Sequence, residues 1–277
     1  MITHPIAKIN LGLNVVEKRA DGYHNLQTVF YPVPILDALE VSPMSEGFPS
    51  SVDCDLKVTN IAIEGDEQKN LVVRAYQLLK ADFPTLPRLH VHLWKGIPTQ
   101  AGMGGGSSDC AYMIRLLNEL FELNLRDEQM MQYASRLGAD CAFFILSKPC
   151  YAEGIGEQLQ PIGLDLSGWY IGVVRPDIPV PTREAFSLIR PHYPEKNCRE
   201  VVMQPIETWR QELVNDFEES VFALHPELAA IKQQLYDMGA TYAAMSGSGS
   251  ALFGLFKDAP QALSEAFEGM FTFWSVL

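Results

Sequence analysis

Pro98-Thr99-Gln100-Ala101-Gly102-Met103-Gly104-Gly105-Gly106-Ser107-Ser108 is the stretch on which the reading of this chain turns. Its four glycines remove side chains where a backbone would approach a ligand closely, and they permit positive φ angles. Met113, Leu117, Leu120 and Phe121 follow at helical spacing, so a helix is predicted to begin near Ser107. Its first N–H groups and the positive end of its dipole suit a pyrophosphate. Upstream, Leu89, Val91 and Leu93 alternate with His90, His92 and Trp94 as in a strand, and Lys95-Gly96-Ile97 leads into the turn. Strand, glycine turn and helix in that order define an anion site; the plainer alternative is a linker or a tight structural turn. The stretch lacks the Gly-Lys-Ser/Thr ending of a Walker loop, and Ser107 stands where a dinucleotide fingerprint needs glycine or alanine. One of Ser107 and Ser108 is expected to cap the helix, leaving the other hydroxyl for a phosphate.

Outward from the turn, Ala7, Ile9, Leu11, Leu13 and Val15 alternate with Lys8, Asn10, Gly12 and Asn14. This predicts a strand with one face in the core and Lys8 and Asn10 together on the other. Asp21-Gly22 marks a turn and Leu26 to Val33 a returning strand, so the N-terminus reads as a hairpin with Tyr23 and His24 at its bend. Leu71, Ala75, Leu78 and Leu79 predict a helix from Asn70 to Lys80, and Met130, Met131, Ala134 and Leu137 another that stops at Gly138, with Asp140 next. Cys141 to Leu146 is apolar but too short to assign. Beyond Pro149, frequent glycine and proline break the chain into short segments, placing a lobe boundary near residue 150, with lobes 1–150 and 151–277. Leu228, Ile231, Leu235 and Met238 predict a helix ending at Gly239, before a second small-residue turn, Ser246-Gly247-Ser248-Gly249-Ser250.

The chain has 277 residues, 47% hydrophobic and 20% charged, enough to bury a full core without any low-complexity tract. Its formal net charge of -13 excludes nucleic acid and anionic membrane surfaces as partners; an anionic substrate needs local attraction, which backbone donors supply. The N-terminus lacks the pattern of a signal peptide and no apolar run is long enough to span a membrane, so the expected location is the cytoplasm. The five scattered cysteines are expected to be free thiols, mostly buried. His90 and His92 share a strand face but lack a third ligand nearby, which disfavours a metal site.

The glycine turn resembles the phosphate-binding motif of the GHMP kinases, named for galactokinase and the homoserine, mevalonate and phosphomevalonate kinases. Ala7-Lys8-Ile9-Asn10-Leu11, Gly138-Ala139-Asp140 and Ser246-Gly247-Ser248-Gly249 agree with the family in its order along the chain. The resemblance implies an α+β, two-lobed GHMP kinase fold. Its N-terminal lobe would be ribosomal-protein-S5-domain-2-like and its C-terminal lobe ferredoxin-like, with the active site between them. It also implies ATP as co-substrate and Mg²⁺, whose protein ligands it does not identify. Asn70, Leu71, Lys95, Pro98, Gly102, Gly104, Gly105, Gly106, Ser107 and Ser108 match nucleotide-binding positions. Lys8 and Asp140 match the catalytic pair. An aspartate of ordinary pKa, about 3.9, cannot deprotonate an alcohol in advance but accepts the proton as the bond to phosphorus forms, while a lysine stabilises developing charge.

Within the family, Arg19-Ala20-Asp21-Gly22-Tyr23-His24, Leu26-Gln27-Thr28, Ala152-Glu153-Gly154-Ile155-Gly156-Glu157 and Pro179-Val180-Pro181-Thr182 resemble the members acting on a cytidine-diphosphate substrate. Those enzymes move the ATP γ-phosphoryl group to its 2-hydroxyl in the non-mevalonate route to isoprenoid precursors. On this resemblance His24 bonds the cytosine edge, Tyr23, Phe30 and Phe186 form aromatic walls, and Asn10 and Thr182 add polar contacts. The alternatives are a GHMP kinase for mevalonate or homoserine, or a non-catalytic nucleotide-binding relative. The chain departs from the family at Met103 for leucine, Asp109 for asparagine and Cys141-Ala142 for valine-proline. Asp109 places a negative charge in the first turn of the loop helix, good for the dipole and repulsive towards phosphate. The oligomeric state is left open.

Overall fold

A computed structural model describes residues 1–63 and 65–277. In chain order the strands are β1 (Ile2–Thr3), β2 (Ile6–Lys18), β3 (His24–Leu36), β4 (Ala38–Pro43), β5 (Cys54–Asn60), β6 (Leu89–Lys95), β7 (Cys150–Glu153), β8 (Gln158–Pro161), β9 (Tyr170–Arg175), β10 (Tyr242–Met245), β11 (Leu252–Phe256) and β12 (Phe271–Val276). The helices are α1 (Leu71–Asp82), α2 (Gly105–Leu120), α3 (Asp127–Ser135), α4 (Cys141–Leu146), α5 (Thr182–Ala185), α6 (Cys198–Val201), α7 (Ile206–Glu212), α8 (Phe217–Leu224), α9 (Pro226–Asp237) and α10 (Leu263–Ala266).

Two compact units divide the chain. One holds Met1–Ala7, Ile35–Thr99 and Gly104–Ser147, the other Lys8–Pro34, Gln100–Met103 and Lys148–Leu277. The division expected at residue 150 differs from this one in the N-terminal hairpin and the middle of the glycine turn. Strand pairing explains the hairpin: β3 lies antiparallel to β7, with Thr28 opposite Ala152 and Phe30 opposite Cys150.

In the first unit the sheet runs β1-β4-β6-β5. Leu89, Val91 and Leu93 of β6 are buried, and Lys95, of the same parity, is buried with them. His90, His92 and Trp94 lie on the opposite face. There His90 pairs with Asp55 at 3.4 Å and His92 with the Thr59 hydroxyl at 2.8 Å. Among the described residues no three His, Cys, Asp or Glu side chains converge on a metal position. α1 begins where Asn70 Oδ1 accepts the Val72 N–H at 2.9 Å. α2 starts two residues earlier than predicted: Gly104 caps it in the left-handed conformation, φ 71°, and neither serine does. Cys141 to Leu146, too short to assign from sequence, is the helix α4.

The second unit has two sheets, β2-β3-β7-β8 and β10-β11-β9-β12. In the latter, helices lie between β9 and β10 and between β11 and β12, the βαββαβ order of a ferredoxin-like lobe. Its core joins Leu13 and Val15 to Val174, Phe217, Leu228, Ile231, Leu235 and Leu252. The apolar stripe of α9 faces that core, and Gly239 follows it at φ 98°. The predicted alternation of β2 is present, but both faces are covered: Lys8 is 3% and Asn10 2% exposed. All five cysteines are free and buried. Among the described residues no helix is long and apolar enough to cross a membrane.

Candidate active site

Lys8 and Asn10 stand two apart on β2 and so point the same way. The Lys8 ammonium donates to Asn10 Oδ1 at 2.6 Å and to the Gly102 carbonyl at 2.8 Å, and it lies 5.0 Å from the centre of the Phe30 ring. The Asn10 amide N–H donates to Thr28 Oγ at 2.9 Å, and that hydroxyl donates to the Gly12 carbonyl at 2.6 Å. Gly102 adopts φ 72°, and a Cβ there would come 1.8 Å from the Ser246 carbonyl oxygen. The Ser246 hydroxyl donates to the Gly102 carbonyl at 2.9 Å, so the second small-residue turn grips the first. Asn215 holds that turn in place, donating to the Met245 and Gly247 carbonyls at 2.8 Å each.

At the hairpin bend His24 stacks on Phe186, with ring centres 4.6 Å apart, and Phe186 meets the edge of Phe217 at 4.7 Å. Burial, then the charge of Lys18, hold the His24 imidazole below its ordinary pKa. A neutral imidazole offers one donor and one acceptor, one at each ring nitrogen. Tyr23 is 62% exposed, and Thr182 is exposed at the first residue of α5.

The remaining predicted residues lie in the first unit. Gly104 to Ser108 form the cap and first turn of α2, whose leading N–H groups have no intrahelical acceptor. A Cβ at Gly106 would meet only Leu71, at 4.0 Å, so these two predicted nucleotide positions are neighbours. Asn70 lines a cavity of about 410 Å³ with Val58, Ala62, Ile63, Asp66 and Lys69. Pro98 is buried. Hydrogen bonding towards Cys110, then Ser107, holds the Cys141 thiol below its ordinary pKa against burial. Ser108 Oγ is buried without a hydrogen-bond partner. Asp140 precedes α4, and its side chain makes no capping bond to that helix.

Lys95 is placed unlike a solvated strand end. Its ammonium, 1% exposed, donates to Asp37 Oδ2 and, at 2.7 Å, to Asp109 Oδ2. Asp37 Oδ1 also accepts the Gly96 and Ile97 N–H groups at 2.6 and 2.8 Å. Asp109 Oδ1 has no partner. Two carboxylates on one ammonium leave an excess negative charge, and burial pushes the Asp109 carboxyl up to about 8 against the pull of Lys95. Sequence reading did not find Asp37, Thr28 or Asn215 as parts of the site. For Thr28 a signal existed, since it lies in one of the stretches that carry the resemblance; Asp37 and Asn215 have none in a single sequence.

A glycine-capped helix start and a buried, fixed ammonium are the parts of a phosphoryl-transfer enzyme, and comparison with known proteins agrees. The model of the GHMP kinases N terminal domain matches residues 70–148 and that of the GHMP kinases C terminal matches residues 198–271. The chain belongs to the GHMP kinases. It is 50% identical over 277 residues to the 4-diphosphocytidyl-2-C-methyl-D-erythritol kinase of Bacteroides fragilis, covering 100% of both chains. To the protein of that name from Cytophaga hutchinsonii it is 44% identical, covering 96% of each. A crystal structure of a 4-(cytidine 5'-diphospho)-2C-methyl-D-erythritol kinase superposes with a TM-score of 0.84 at 31% identity, over 99% of this chain and 98% of that one. Within the class, the chain is a member of the 4-diphosphocytidyl-2-C-methyl-D-erythritol kinases. The homoserine kinase of Cytophaga hutchinsonii shares the fold, with a TM-score of 0.70 at 14% identity over 98% and 93% of the two chains.

Proposed function

We propose that this chain transfers the γ-phosphoryl group of ATP to the 2-hydroxyl of 4-diphosphocytidyl-2-C-methyl-D-erythritol, giving the 2-phosphate and ADP in the non-mevalonate route to isoprenoid precursors. The observation that carries the reading is the Lys8 ammonium, buried and aimed by Asn10 and the Gly102 carbonyl, in a chain whose full-length relatives bear that activity in their names. Phosphoryl transfer has a loose transition state, so positioning and charge do most of the work. Lys8 supplies charge to the reacting oxygens, and Asp140 accepts the hydroxyl proton as the bond to phosphorus forms. The first turn of α2 receives the ATP phosphates on backbone N–H groups, with the cavity beside Asn70 for the remainder of the nucleotide.

Magnesium enters with ATP as the MgATP substrate. When bound, the ion would supply positive charge to the phosphates. Five free buried thiols suit a reducing compartment, and the cytoplasm is the proposed location.

Coupled ADP release with the cytidine diphosphate acceptor, mevalonate and homoserine in parallel tests the reading. Turnover is expected with the first alone, and ATP binding without turnover on any of the three would mark a non-catalytic relative instead. For the acceptor pocket, His24→Leu is expected to raise the acceptor KM about tenfold or more, the worth of one lost edge bond in a desolvated site, and to leave the ATP KM within about twofold. Equal changes in both constants would remove His24 from the cytosine.

A further inference from the structure

The Lys8 ammonium needs an acceptor on the Asn10 side, and an asparagine side chain does not guarantee one. The carboxamide is nearly the same shape either way round: one orientation presents an oxygen to Lys8, the other an NH₂ that would repel an ammonium. Lys8 itself favours the oxygen, but Asn10 is 2% exposed, and the other end of its amide must also be satisfied within the fold. That end meets Thr28 Oγ at 2.9 Å.

A hydroxyl gives and accepts, so by itself it would suit either end of the amide. Here its proton is committed. Thr28 Oγ donates to the Gly12 carbonyl at 2.6 Å, and a carbonyl only accepts. The hydroxyl is left as an acceptor towards Asn10, and only the NH₂ end of the amide fits against it. The direction of every bond in the chain from Gly12 through Thr28 and Asn10 to Lys8 thereby follows from one backbone carbonyl. On its far side Lys8 meets a second fixed acceptor, the Gly102 carbonyl, which also receives the Ser246 hydroxyl. Thr28 is 1% exposed, out of reach of solvent that would otherwise compete for these bonds.

We propose that Thr28 is a positioning residue for phosphoryl transfer: its hydroxyl, polarised by the Gly12 carbonyl, fixes the orientation of the Asn10 amide and through it the place of the Lys8 ammonium. The proposal rests on the kinase reading above, and turnover by the unaltered chain tests that reading separately.

Thr28→Val replaces the hydroxyl with a methyl of nearly the same volume, and Thr28→Ser keeps the hydroxyl and drops the methyl. Both are compared with the unaltered enzyme in kcat, in KM for ATP and for the acceptor, and in melting temperature. With Thr28→Val, kcat is expected to fall about tenfold to a hundredfold, the equivalent of one buried polar group left unpaired. The ATP KM is expected to stay within about threefold, since Thr28 reaches the ligands only through Lys8 and through Asn10, the latter a predicted contact of the acceptor and not of ATP. Thr28→Ser is expected to keep kcat within about threefold even where its melting temperature falls as far as that of Thr28→Val, a split that loss of packing alone does not produce. Equal kcat losses in the two variants, or an unchanged kcat in Thr28→Val, overturn the proposal. If Thr28→Val does not fold, Ser246→Ala probes the same ammonium through the carbonyl it shares, with Thr28→Ser as reference. A kcat loss in Ser246→Ala together with an active Thr28→Ser supports the fixed geometry, and an inactive Thr28→Ser sinks it.

Discussion

Lys95 is a lysine whose charge is already spent. Asp37 and Asp109 both hold its ammonium, and a ligand phosphate would have to draw it away from a buried ion pair with Asp37 and a hydrogen bond to Asp109, at a cost of several kcal/mol. On the kinase reading, its contribution at the nucleotide falls to its backbone and to what it does to Asp109. A Cβ at Gly105 would come 3.3 Å from Lys95 Nζ, so the ammonium lies directly beneath the first residue of α2. The charge of Asp109, repulsive towards phosphate when read from sequence, is met there in two ways: by Lys95, and by the proton that burial keeps on its carboxyl up to about 8. The second has a consequence for stability. The folded pKa is raised above the ordinary carboxylate value of about 4, so between the two the folded chain binds more protons than the unfolded one. The contribution is therefore complete below about 4 and is lost as pH rises through about 8. Asp109→Asn removes the titration. From about pH 5 to about pH 9 the melting temperature of the unaltered chain is expected to fall steadily relative to that of Asp109→Asn, and parallel curves would show that the carboxyl does not titrate in this window. This arrangement was half legible in the sequence. Lys95 has the parity of Leu89, Val91 and Leu93, which points it inward, and Asp109 lies four residues before Met113 on the buried stripe of α2. What no alternation shows is Asp37, which arrives from the far end of β3.

The glycine turn contains two kinds of glycine, and the structure separates them. Gly102 is demanded by the fold, since its φ of 72° and the 1.8 Å approach of a Cβ to the Ser246 carbonyl leave no room for a methyl. Gly106 is not demanded by the fold: it has ordinary helical φ, and a Cβ there would touch only Leu71, at 4.0 Å. Its missing side chain is left for something outside the protein, which on the kinase reading is the ATP phosphate. Gly106→Ala is accordingly expected to hold or raise the melting temperature, by up to about 1 kcal/mol of helix propensity, and to raise the ATP KM. Gly102→Ala is expected to lower the melting temperature and to cut turnover about a hundredfold or more, because the carbonyl that Lys8 and Ser246 share must move with it. A Gly106→Ala enzyme with an unchanged ATP KM would take that glycine out of the phosphate site. Sequence alone marks both as glycines in a turn; only the neighbours in space, Ser246 for one and Leu71 for the other, tell them apart. The start of α2 precedes the serines for a related reason. Serine is the better capping residue by preference, but the left-handed conformation at Gly104 closes the helix start before Ser107 is reached.

Over the whole molecule, patterning shows the elements better than their grouping. The hairpin of β2 and β3 was legible from alternation and Asp21-Gly22, yet it joins the unit formed mainly by the C-terminal half, since pairing with β7 is a long-range event that local pattern does not encode. Charge is the property that needs no structure to read, and it makes a prediction for the molecule as a whole. A chain of net charge -13 repels MgATP and a diphosphate acceptor at long range, with the repulsion screened beyond about 8 Å at physiological ionic strength. What binds the phosphates must act at contact. On the proposed reading the backbone N–H groups of α2 do so and carry no formal charge, and the ammonium of Lys95 is compensated by Asp37. Added salt therefore screens repulsion and has little long-range attraction to weaken. The kcat/KM for ATP is expected to hold, or to rise by up to a few-fold, as inert salt goes from about 20 to about 200 mM at constant free magnesium. A site that drew ATP in by a cluster of exposed lysines or arginines would lose rate over the same range. A fall of about tenfold would show that uncompensated cations, and not backbone donors, dominate the approach of the nucleotide.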